Sequence, residues 1–205
     1  MIISHKHKFI FFHIPKCAGT SVYSALCNSL GVVDNKGEPT CSLEDHMLFK
    51  NPPNDRFGNS IHLNQHFCYE GVKYYLDEQG YDIDDYFKFS FVRNPWARTV
   101  SYWTYEKDAR SFRDYCIEEK DIQFDRIKKP NCYELGVDYV GKSENLDQDF
   151  NYILDRLNLP RVEIKTLNKS VYKPYKAHYT SELIEIIEEK YAVDINAFGY
   201  SYEDR

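Results

Sequence analysis

His13-Ile14-Pro15-Lys16-Cys17-Ala18-Gly19-Thr20-Ser21 follows a short apolar run at 8–12 and precedes an amphipathic stretch that opens at Val22. A strand, a tight loop carrying a lysine and a glycine, and a helix start together form a cradle for an anion. The first helical turn leaves its N–H groups unpaired and facing the loop, the helix dipole adds partial positive charge, and Lys16 adds a full one. A phosphate-like group is therefore expected over 16–21, among Lys16, Cys17, Ala18, Gly19, Thr20 and Ser21.

The same grammar returns at Phe91-Val92-Arg93-Asn94-Pro95-Trp96-Ala97-Arg98-Thr99-Val100-Ser101-Tyr102-Trp103. Residues 86–92 read as a buried strand. Asn94 suits a helix N-cap and Pro95 the first helical position, where a missing N–H leaves no hydrogen bond unmade. Arg93 then leaves a strand end beside a new helix N-terminus. Arg98 and Ser101 stand three apart, on one helical face, so a second anion is expected here.

The chain has 205 residues, enough for one domain with a sizeable core, and we read 1–205 as a single domain. Its net charge of −6 argues against a general binder of nucleic acid or anionic membranes, so any anion site must be local. Six cysteines form no C-x-x-C pair, and the apolar stretch at 9–14 is too short for a signal core or a membrane span. Reduced thiols and a cytoplasmic location are the expectation. Cys17 lies inside the first loop, where a lowered pKa would make it a nucleophile, but no histidine constellation accompanies it and a small loop-filling residue is the plainer reading. The 18 tyrosines and 13 phenylalanines are scattered along the chain, which points to packing more than to a base-stacking platform.

Outward from the two loops, 21–30 carries a helical apolar stripe that Gly31 is placed to end. Residues 32–60 are polar, with the breaker Asn51-Pro52-Pro53-Asn54, and read as a variable loop or lid. A helix is expected over 62–76, another over 95–107, one short helix and a loop within 108–130, and a strand over 137–140. Ser143 suits the cap of a helix in which Leu146, Phe150, Ile153, Leu154 and Leu157 recur at helical spacing, and a last helix is expected over 181–191. Strands alternating with helices predict an α/β fold with a central, mainly parallel sheet flanked by helices in three layers. Both anion loops would then lie at the carboxyl ends of strands, where one ligand with two anionic groups can bridge them.

Pro15-Lys16-x-Ala18-Gly19-Thr20-Ser21, followed some seventy residues later by Phe91-Val92-Arg93-Asn94-Pro95-Trp96 and Ser101, resembles the sulfotransferases that use 3'-phosphoadenosine 5'-phosphosulfate (PAPS). The likeness continues in Tyr86-Phe87-Lys88-Phe89, Gly141-Lys142-Ser143-Glu144-Asn145-Leu146, Leu167-Asn168-Lys169-Ser170 and Asp194-Ile195-x-x-Phe198-Gly199-Tyr200, as in the branch with bacterial and Golgi carbohydrate sulfotransferases. The resemblance implies a P-loop-like fold whose first loop grips the 5'-phosphosulfate and whose second grips the 3'-phosphate. Lys16, Gly19, Thr20 and Ser21 would contact the 5' side, and Arg93 and Ser101 the 3'-phosphate. Lys142 is a further candidate, with an exposed lysine before a helix as the alternative.

The implied reaction is in-line transfer of the sulfuryl group to an acceptor hydroxyl or amine, of a carbohydrate or small metabolite, with 3',5'-bisphosphoadenosine leaving. Lys16 would neutralise charge growing on the bridging oxygen, and no metal is required by that logic. The base is expected at His66, in the place of a family Lys-His motif whose lysine is Gln65 here, or at His62 one turn before. Two histidines four apart also suit zinc, but no third ligand is suggested by spacing. A nucleotide kinase is the enzymatic rival, though its motif places lysine after the second glycine and here lysine precedes glycine. A non-catalytic nucleotide-binding protein on the same fold is the remaining alternative.

Overall fold

The computed structural model describes residues 1–32, 46–48, 68–130, 134–165 and 174–204, with backbone pairing alone at 46–48. Phe9–Phe12 (β2) is an uninterrupted apolar run with every residue buried, as expected of a strand covered on both faces. Phe87–Val92 (β4) pairs parallel to it, and Tyr139–Lys142 (β5) pairs parallel to β4. On the other side of β2 lie Ile2–Ser4 (β1) and then His46–Leu48 (β3), in the order β3-β1-β2-β4-β5. Because β1 is antiparallel to both its neighbours, the other four described strands share one direction and β1 alone opposes them. The expectation of a mainly parallel sheet holds in that sense.

Two of these strands were not expected. β1 returns into β2 through a turn at 5–8 in which Lys8 adopts a φ of 50°, and β3 arises inside the segment read as a loop or lid. Each has three residues, too few for a period to register. The remainder of 32–60 beyond Val32 and β3, and the expected helical residues 62–67 with His62 and His66, lie outside the described residues.

Gly19–Leu30 (α1) begins two residues earlier than the apolar stripe indicated and stops at Gly31, whose φ of 70° lets Val32 N–H return to the Cys27 carbonyl at 2.9 Å. Tyr69–Glu78 (α2) is followed by β4 and then Pro95–Glu106 (α3). Residues 108–130 hold two short helices, Phe112–Glu118 (α4) and Gln123–Ile127 (α5), where one was expected. After β5 a 3-10 turn at Ser143–Asn145 intervenes before Leu146–Arg156 (α6), so Ser143 is not its cap. Ser181–Lys190 (α7) matches its apolar stripe, and an unexpected helix, Ala192–Phe198 (α8), follows.

Candidate functional site

The parallel strands end together. Phe12 is level with Ser90, and Val92 is level with Lys142. The loops carrying Lys16 and Arg93, and Lys142 itself, therefore emerge side by side at the carboxyl edge of the sheet, where α/β folds place ligands.

In the first loop Lys16 and Ala18 both adopt left-handed backbone, with φ of 63° and 60°. Each such non-glycine residue costs on the order of 1–2 kcal/mol and persists only where its surroundings impose it. Three contacts do so: the Arg98 Nε–H donates to the Pro15 carbonyl at 2.9 Å, Arg93 Nη1 to the Lys16 carbonyl at 3.3 Å, and the Cys17 thiol to Gln123 Oε1 at 3.0 Å. The Ala18 carbonyl accepts from Ser21 and Val22 and so opens α1. Gly19 is required by close approach, since a Cβ there would overlap the buried His13 ring. His13 thus sits against the helix start, stacked on Phe11.

Burial pushes the Cys17 thiol up to about 12, so it stays protonated and donates a hydrogen bond; the nucleophile reading fails on this ground. Lys16 is half-buried, its Nζ 3.8 Å from the centroid of the Tyr105 ring. Burial first, and the charge of Arg93 second, hold its pKa below the ordinary lysine value. A lysine whose charge is disfavoured by a neighbouring cation at the open edge of a sheet is relieved by an anion placed beside it.

The second loop is fixed by Asn94. Its Oδ1 accepts from Trp96 N–H at 3.1 Å and Ala97 N–H at 3.2 Å, its Nδ2 donates to the Ser201 carbonyl, and its own N–H donates to Glu144 Oε1 at 2.9 Å. Pro95 occupies the first helical position, as expected. Glu144 also accepts from the Tyr200 hydroxyl, and the Lys142 Nζ lies 4.5 Å from the Tyr200 ring centroid. Ser101 is buried on α3, and Arg93 is half-buried at its start.

Arg98 corrects the expectation that it faces an anion with Ser101. Its guanidinium is 3 % exposed and committed to Pro15 O, Asp121 O and the Asp121 carboxylate at 2.6 Å, so it is a structural clamp. Beside it a cavity of about 240 Å³ is lined by Arg98, Tyr102, Glu106, Asp121, Arg126 and Tyr191, among others. Arg98 joins that cavity to the first loop through Pro15.

Lys16, Cys17, Ala18, Gly19, Thr20, Ser21, Arg93 and Lys142 follow or end the three strands at this edge, whereas Ser101 is buried in the second turn of α3. Tyr105 belongs to the aromatic run Trp96, Tyr102, Trp103 and Tyr105 of the 95–107 helix, some of whose rings are expected to line a pocket, and it lies beside Lys16. Glu144 and Asp194 stand inside quoted motifs, but nothing local signals a contact with the second loop, and Gln123 carries no motif at all.

Fold and site together define an α/β protein with two cationic loops side by side at the carboxyl ends of parallel strands. The chain belongs to the sulfotransferase family, whose model matches residues 1–201. It is similar to carbohydrate sulfotransferase 14 of Danio rerio, at 22% identity over 249 residues that cover 98% of this chain and 62% of that protein. It is also similar to an uncharacterized protein of Archaeoglobus fulgidus, at 32% identity over 105 residues, 44% of this chain and 86% of that one. The chain thus spans less than two thirds of the length of the zebrafish relative.

Proposed function

We propose that this chain is a sulfotransferase that moves a sulfuryl group from PAPS to a hydroxyl of a carbohydrate or other small polyhydroxylated acceptor. The observation that carries this reading is the juxtaposition of Lys16 and Arg93, two loops' cations joined through the Lys16 carbonyl at 3.3 Å. A nucleotide with anions at both ends needs two such loops. In this reading the first acts as a P-loop-like cradle: Lys16 and the Gly19, Thr20 and Ser21 region hold the 5'-phosphosulfate, while Arg93 and Ser101 hold the 3'-phosphate and Lys142 approaches the nucleotide from β5.

The acceptor oxygen forms its bond to sulfur as the bond from sulfur to the bridging phosphate oxygen breaks, and the electron pair of that bond leaves on 3',5'-bisphosphoadenosine. Lys16 offsets the charge that grows on the departing oxygen. The acceptor proton passes to a base, for which His66, with His62 as second candidate, remains the proposal. The cavity beside Arg98, with tyrosine faces and paired charged groups, suits a sugar-like acceptor. Residues 32–60 are proposed to act as its lid within a single domain. A cytoplasmic location is proposed from the absence of any C-x-x-C pair in the sequence; among the described residues no helix is long and apolar enough to cross a membrane.

Transfer of labelled sulfate from PAPS across a panel of sugars, phenols, amines and lipids tests the proposal. The expected result is transfer to a sugar hydroxyl, lost in His66→Ala with nucleotide binding retained. Arg93→Ala is expected to weaken 3',5'-bisphosphoadenosine binding roughly 10- to 100-fold, the worth of a charge-assisted hydrogen bond. Preference for ATP with Mg²⁺ overturns the reading in favour of a kinase. Nucleotide binding with no transfer to any acceptor favours a non-catalytic protein.

A further inference from the structure

Gln123, at the start of α5, is fully buried and touches both loops at once. Its Oε1 accepts from the Arg93 N–H at 2.9 Å and from the Cys17 thiol at 3.0 Å, while its Nε2 donates to the Arg93 carbonyl at 2.9 Å. The side-chain amide therefore pairs with the Arg93 residue in both directions, as a neighbouring strand would, and with the first loop through one shared oxygen. The buried Asp194 carboxylate on α8 holds Gln123 in turn: Oδ2 accepts from the Gln123 N–H at 2.9 Å and lies 3.4 Å from Nε2, and Oδ1 accepts from the Phe124 N–H at 2.8 Å. The bonds to Cys17 and Asp194 are buried and those to Arg93 partly so, and the Gln123 amide itself has no exposed surface, so solvent does not substitute for its contacts at low cost.

We propose that Gln123, anchored by Asp194, is a positioning residue that sets the separation of the two anion loops and so selects a nucleotide carrying anions at both its 5' and 3' ends. The proposal rests on the nucleotide reading above. A ligand that spans both loops gains from a preset separation, because no loop rearrangement is charged against its binding. A ligand that touches one loop gains nothing.

The test compares three probes, 3',5'-bisphosphoadenosine, 5'-AMP and 3'-AMP, by calorimetric affinity on the full chain, for the wild type, Gln123→Met and Asp194→Asn. Expected is a loss of at least tenfold for the bisphosphate in each variant, with both mononucleotides changed by less than about threefold. A role in general stability alone lowers the melting temperature but leaves that ratio unmoved, and equal losses for all three probes, or bisphosphate affinity kept within threefold, overturn the proposal. Should Gln123→Met not fold, Gln123→Glu, which keeps the volume but loses the donor to the Arg93 carbonyl, carries the same comparison. A wild-type chain that binds none of the three probes overturns the nucleotide reading itself, whereas loss of the contrast among variants overturns only the spacer role.

Discussion

The Lys16 ammonium lies over the Tyr105 ring and near Arg93, held below the ordinary lysine value of 10.5 by burial first and by the neighbouring positive charge after it. In the proposed complex the nucleotide selects the protonated form, so its affinity is expected to be full below the lowered pKa and to fall as pH rises through it, at a pH under that of a free lysine. Titrating 3',5'-bisphosphoadenosine affinity from about pH 7 to about 10 is expected to show this limb. Lys16→Arg removes it, because guanidinium stays charged throughout; an unchanged limb in that variant would assign it to another group. Lys16 and Arg93 were legible as residues because each sits in a local strand-loop-helix pattern. Gln123 and Asp194 were not, because 106 residues separate Cys17 from Gln123, 71 separate Gln123 from Asp194, and neither lies in a pattern that local spacing explains.

Among the elements, α3 shows both what spacing reveals and where it misleads. Its cap and first residue, Asn94 and Pro95, were readable because their roles depend on backbone groups within three positions. Asn94→Ala removes two cap bonds and the tie to Ser201, and about 1–2 kcal/mol of stability is expected to go with them. Urea unfolding measures it. Asn94→Asp keeps the acceptor oxygen while losing the donor to Ser201, and is expected to fall between. The face shared by Arg98 and Ser101 was read correctly as a helical neighbourhood, but which way the Arg98 guanidinium turns depends on Pro15 and Asp121, neither of them on that helix. The 3-10 turn before α6 has a similar lesson: Ser143 was read as a cap, yet its hydroxyl donates to Glu144, whose carboxylate also receives the Asn94 N–H of the second loop.

In the whole molecule, two loops 77 residues apart in sequence are joined at the Lys16 carbonyl. A ligand that bridges them stabilises the native chain by mass action. At roughly 100 times its dissociation constant, 3',5'-bisphosphoadenosine is expected to add about 2.7 kcal/mol. For a chain of this size that raises the melting temperature by roughly 5–10 °C. The rise is expected to shrink sharply in both Lys16→Ala and Arg93→Ala, and a full rise in either variant would show that its loop does not hold the ligand.

By itself the sequence determined the two strand-loop-helix segments around Lys16 and Arg93, because apolar runs, caps and breakers act over a few residues and leave a local trace. Only the tertiary structure decided that Arg98 is a clamp, that Cys17 is a protonated donor, that β1 opposes the other described strands and that Gln123 and Asp194 tie the loops together. Those outcomes depend on burial and on partners far along the chain, and neither is encoded in the spacing of neighbours.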